Sequence, residues 1–215
     1  MLHKKIYKLK LKLFFVFSVV LFLFASSFSY VKAVSEHLST SVLRLHVVAN
    51  SDNDFDQALK YKVRDSLLKY MNTLCDSTNT KSDAINIVKS NLNNFKLIAE
   101  QTIHENGYDY PVNIQLGNFY FPSKDYGDIS FPAGMYDALK VEIGNASGHN
   151  WWCVMFPPLC FVDVTSGVVP DSSKEELQDN LSEDEFNLIS SNDDFYQFKF
   201  KLVELFNSIA NNLTS

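Results

Sequence analysis

The first 33 residues constrain this chain most, because no globular core accommodates them. Met1–Lys12 carries Lys4, Lys5, Lys8, Lys10 and Lys12 with no acid, and Leu13–Val31 is an uncharged, mainly apolar run of 19 residues. A positive segment followed by an apolar run is the export pattern. Small residues permit cleavage after Ser27, Ser29 or Ala33. The run is also close to the roughly 20 residues that span a bilayer as a helix, so an uncleaved anchor is the alternative. Either way, the positive-inside rule puts the remainder outside the membrane. The expected division is 1–33, a signal peptide or N-terminal membrane anchor, and 34–215, a single exported domain.

Charge narrows the function classes. Without residues 1–33 the chain keeps 13 cationic side chains against 25 acids, a formal charge of −12. Nucleic acid is excluded as a partner, because neutralising phosphates needs a basic surface. Adhesion to anionic headgroups is disfavoured for the same reason. About 180 residues suffice for one domain with a core of its own.

Periodicity predicts the elements. SVLRLHVVAN (41–50) alternates as a strand, with Leu43, Leu45 and Val47 on one face and Arg44 and His46 on the other. From Asp56 the spacing of Leu59, Val63, Leu67 and Met71 is helical. A second helix, capped by Ser82 or Asp83, carries a stripe of Ala84, Val88, Leu92, Phe95, Ala99 and Ile103 and stops at Gly107. VNIQLGNFYF, ALKVEIG and WWCVMF read as strands, with FPSKDYGDISFPAG a turn-forming loop after the first, and LCFVDV reads as a hairpin partner for WWCVMF across Pro157–Pro158. SSKEE marks a short acidic helix, and residues 195–202 fit strand or helix equally. Strands clustered after two helices predict an α+β domain, a mainly antiparallel sheet with helices packed on one face.

Three cysteines are present, and two, Cys153 and Cys160, flank the double proline. Cys153 with His149 has the residue types of a thiol nucleophile and its base, but no orienting third group is evident. Cys153, Cys160 and His149 match no zinc spacing. The remaining reading is a disulfide in an oxidising compartment. Seven extended steps would span roughly 23 Å where a disulfide needs Cα atoms within about 7 Å, and the prolines supply the reversal. Closing such a loop contributes about 2.5 kcal/mol. Cys75 is then the odd thiol. Asp52, Asp54 and Asp56 start like a calcium loop, but Gln57 and Val63 stand where such a loop needs Gly and Glu. That stretch reads as a polar turn and helix cap. Alternation sends Trp151 and Trp152 to opposite faces, and a large aromatic at a rim is a typical interface anchor. No hydrolase, metalloprotease, phosphate-loop or dinucleotide signature occurs. No metal, cofactor or small-molecule substrate is expected.

Three stretches together resemble a known family: LRLHVVANSDNDFDQALKYKVRD, FPAGMYDALKVEIGNASGHNWWCVMFPPLCFVD and FKLVE. They are similar to the stage II sporulation protein R family of endospore-forming bacteria, with Ser147–Gly148 a small departure in the second block. The resemblance implies a non-enzymatic signalling protein, exported from the forespore into the space between the septal membranes. Its implied partner is a membrane-embedded aspartic protease of the mother cell, which processes the sigma-E precursor. The candidate partner-binding residues are Arg44, His46, Asn50, Ser51, Asp52, Trp151 and Trp152. The competing reading is an exported thiol or wall-directed hydrolase using Cys153 and His149.

Overall fold

A computed structural model describes residues 2–74, 80–126, 129–157 and 171–190. The expected second hairpin arm (159–164), the 195–202 segment, Cys75 and Cys160 lie outside them.

Helix α1 (Leu2–Ser41) contains the apolar run. Leu13, Phe14, Phe15, Val16 and Phe17, successive residues that together face all round the helix, are each more than 60% exposed. Among the described residues no helix is long and apolar enough to cross a membrane; within the run itself, the side chains at 24, 27, 28, 30 and 31 fall outside those described. The other end of α1 belongs to the fold. Leu38 is fully buried, and the Lys81 ammonium ties the Ser39 carbonyl to the Asp137 carboxylate, 2.7 Å away.

Strand β1 (Leu43–Val48) leads to α2 (Asp54–Leu74), α3 (Lys81–Ser90) and α4 (Leu92–Glu105). The α2 stripe Leu59, Val63, Leu67 and Met71 is buried as its spacing predicts. The expected second helix is two helices. The Asn91 amide donates to the Ile87 carbonyl at 2.9 Å, a local bond that competes with the helical ladder. Thr80 caps α3, accepting from the Asp83 amide, in place of Ser82 or Asp83. Ala84, Val88, Phe95, Ala99 and Ile103 still form one buried stripe, and full burial of each large side chain stabilises by about 1.5–3 kcal/mol.

The chain then forms β2 (Val112–Phe121), β3 (Lys124–Tyr126), β4 (Ile129–Phe131), β5 (Gly134–Ile143) and β6 (Asn150–Phe156). The main sheet has the order β2-β5-β1-β6. Two of its pairings are antiparallel and β1·β5 is parallel. The return through three helices to the far edge makes β2 run against β1, so that β5 runs with it. The segment expected to be only a loop holds the β3·β4 hairpin.

The fold is α+β. Helices α2, α3 and α4 pack on one sheet face, the one bearing Leu43, Leu45 and Val47. The β3·β4 hairpin covers part of the other face, and α6 (Glu183–Ser190), which follows α5 (Asp171–Asn180), packs on β4. Strand β1 is therefore buried along its whole length.

Candidate functional site

Where β1 ends, the sheet's polar chemistry begins. The β1–α2 turn (49–53) lies against the β5–β6 loop (144–149), so the two longest stretches of the sequence resemblance meet in space. The Asn50 carbonyl accepts from the Ser147 amide at 3.2 Å and its hydroxyl at 2.7 Å. The Gly148 amide donates to the Ala49 carbonyl at 3.0 Å. The Asn50 side chain accepts from the Asn145 amide at 2.9 Å and donates to Asp56 Oδ2 at 2.8 Å. Two glycines make this approach possible. A Cβ on Gly148 would sit 2.2 Å from the Ser51 carbonyl oxygen. Gly144, in the left-handed region at φ 59°, would place one 2.3 Å from Asn50 Oδ1.

Asp56 is the hub. It is only 2% exposed, and its Oδ2 accepts from Ser51 Oγ at 2.6 Å and Asn53 Nδ2 at 3.2 Å as well as from Asn50. Burial alone would raise its pKa; hydrogen bonds from Ser51, Asn50, Tyr110 and Asn53 outweigh that and hold it below the ordinary carboxylate range. The first turn of α2 also favours negative charge. One helical turn on, Lys60 is 1% exposed and donates to Gln57 Oε1 at 2.6 Å and the His149 carbonyl at 3.1 Å. Its own burial and the nearby Arg64 hold its pKa below the usual lysine value, with Asp52 opposing. Gln57 donates to the Ser51 carbonyl at 2.9 Å. Asp52 Oδ1 accepts from the His149 amide at 2.5 Å and pairs with its Nδ1 at 2.5 Å, at the solvent-exposed edge. Asp52, Asp54 and Asp56 thus serve separate purposes, and among the described residues no cluster of His, Cys, Asp and Glu suits a metal ion.

The candidates divide into surface and interior. Asn50, Ser51 and Asp52 form the junction. Arg44, expected at a binding surface, is in the core and fully buried. None of the three aspartates reaches it. Its Nη2 donates to the Tyr126 hydroxyl at 2.6 Å. Its guanidinium lies 4.2 Å from the Phe121 ring centre, 4.8 Å from Tyr136 and 5.6 Å from Phe131. The reason is the β3·β4 hairpin, which closes over this end of the face. His46, 9% exposed, stacks on Trp152 with ring centres 5.6 Å apart, and its Nε2 meets Asn150 Oδ1 at 2.7 Å. Burial holds its pKa below the ordinary histidine value, despite the bond to Asn150. The tryptophans do face opposite ways. Trp151 packs on α2, edge-on to Tyr61 and 4.4 Å under the Arg64 guanidinium. Trp152 is half-buried beside His46.

Cys153 is 1% exposed and disulfide-bonded, while the His149 side chain is 76% exposed and held by Asp52. The two do not form a nucleophile–base pair. The sequence reading missed Asp56 as a hub, Lys60 as a buried cation, Tyr126 as the partner of Arg44, and Phe55, which is 74% exposed. Asp56, Lys60 and Arg64 recur at i, i+4 along one flank of α2, a charged row beside an apolar stripe that marks them as a set.

The family model for stage II sporulation protein R matches residues 39–166, which include both loops of the junction. The stage II sporulation protein R of Bacillus subtilis (strain 168) is 39% identical over 125 residues, covering 58% of this chain and 56% of that protein. The match therefore spans little more than half the length of this curated relative. No solved structure matches. With more than half of its length matched by the family model, the chain belongs to the stage II sporulation protein R family.

Proposed function

We propose that this protein is an exported, non-enzymatic signal of sporulation. It crosses the forespore membrane into the septal space and activates a membrane-embedded aspartic protease of the mother cell, which then processes the sigma-E precursor. One observation carries the reading: the two motif stretches converge on a rigid junction at the surface, built from Asn50, Ser51, Asp56, Gly144 and Gly148. A fixed surface is what a protein ligand needs, since little ordering entropy is then lost on binding. Export is supported by the lysines before the apolar run and by its side chains, which no part of the described fold covers between Leu13 and Phe17. Lipid satisfies such a helix. Whether the segment is cleaved does not alter the reading, because Leu38 and everything after it remain with the domain.

The rival thiol-hydrolase reading needs a free Cys153 thiolate. We propose Cys160 as its disulfide partner, on the chain reversal in the sequence. Non-reducing peptide mapping of exported protein should yield one crosslinked peptide containing both residues; alkylated free thiol at both would revive the hydrolase. The signalling reading is tested by co-expressing the full chain with the protease and the sigma-E precursor in a non-sporulating host. Cleavage should require all three.

A further inference from the structure

Most of the exposed junction has an internal use. Asp52 holds His149, Ser147 anchors the Asn50 carbonyl, and Asp54 stands in the first turn of α2, where the helix dipole favours an acid. Phe55 has no such use. It is 74% exposed, and it is neither in the hydrophobic core nor among the half-buried residues packed on it. Its backbone is nonetheless fixed. The next residue, Asp56, is the buried hub, and its amide donates to Asn53 Oδ1 at 2.8 Å. The ring is thus an apolar anchor on a rigid mount, flanked by the exposed carboxylates of Asp52 and Asp54.

We propose that Phe55 with Asp52 and Asp54 is the docking point for the receptor, an assignment that rests on the activation reading above. The occupant is an extracytoplasmic segment of the membrane protease that offers an apolar pocket rimmed by lysine or arginine. Large aromatics, buried on association, supply most of the energy of an interface, and complementary charge around them sets register and speeds encounter. An anionic lipid surface is the wrong partner, because the flanking carboxylates and the −12 charge of the exported part oppose it. A second copy would bring two acidic patches face to face, which costs affinity.

The test uses the full chain with a photo-crosslinking amino acid replacing Phe55, co-expressed with a tagged protease and the sigma-E precursor. A covalent adduct with the protease is expected. Phe55→Ser should lower precursor cleavage about tenfold or more, the loss expected for an interface anchor, with exported amount and melting temperature unchanged. Asp52→Asn with Asp54→Asn should give a smaller loss. Crosslinking only to a second copy, or undiminished cleavage by Phe55→Ser, overturns the docking point. An adduct at position 55 with no cleavage even by the unaltered chain would support the docking point and sink the activation reading.

Discussion

The two ends of β1 bury charge in opposite ways. At its start, Arg44 is closed in by Phe121, Phe131 and Tyr136, and the Tyr126 hydroxyl accepts from it. Among the described residues its Nε and Nη1 have no acceptor. Past its end, one oxygen of Asp56 takes three side-chain donors, and one of these, the Asn50 side chain, is itself held by the facing loop. Aromatic faces hold a cation through weak, diffuse attraction. The Asp56 oxygen that takes directed donors is held more strongly, since charge-assisted hydrogen bonds are about twice as strong as neutral ones. The first arrangement is interior scaffold. The second fixes two loops against each other and presents their outer side to solvent.

The sharpest way to break this contrast is to remove the charge at each end. Asp56→Ala leaves the Ser51, Asn50 and Asn53 donors without their acceptor, and should destabilise by about 3 kcal/mol or more. Arg44→Met keeps apolar volume in the cage and removes a desolvated cation, so it should change stability by less than about 1.5 kcal/mol in either direction. Chemical denaturation of the two variants measures both. An Arg44→Met loss as large as that of Asp56→Ala would mean that the aromatic cage is as demanding as the polar hub. Next in size is Gly148→Ala. Its Cβ must displace the Ser51 backbone, which lies 2.2 Å away, at a cost of roughly 1–3 kcal/mol. An unchanged melting temperature would show that the loops are not locked together.

The smallest effect is in pH. Asp56 is held below its ordinary value of 3.8, so its contribution is fully present above that value and is lost as pH falls through the lower folded value. The gap in melting temperature between the unaltered chain and Asp56→Asn should therefore be constant near neutrality and narrow below about pH 3.8. A gap that stays constant into strong acid would show that the carboxylate is not the stabilised form.

Local pattern made most of the elements legible. The alternation of Leu43, Leu45 and Val47 and the stripes of α2 and of α3 with α4 depend on neighbours along the chain, and each is found as spacing implies. The parallel β1·β5 pairing and the burial of Arg44 depend on which strand lies next to which, and on a hairpin some 80 residues away covering a polar residue. No local period encodes that. The same holds for the candidate site. Asn50, Ser51 and Asp52 stood out as a polar turn, but their engagement with residues 144–149 arises only when β5 and β6 flank β1. Phe55 escaped notice because a phenylalanine in an amphipathic stretch reads as core by default.

The central claim is that the junction carries the signal and the Arg44 cage only supports it. Cleavage of the sigma-E precursor per exported molecule, in the co-expression host, tests it for the unaltered chain, Arg44→Met and Gly148→Ala side by side. The account predicts cleavage by Arg44→Met within about twofold of the unaltered chain, and a loss of about tenfold or more for Gly148→Ala, the scale of a lost interface anchor. Full cleavage by Gly148→Ala, together with loss in a folded Arg44→Met protein, would contradict it.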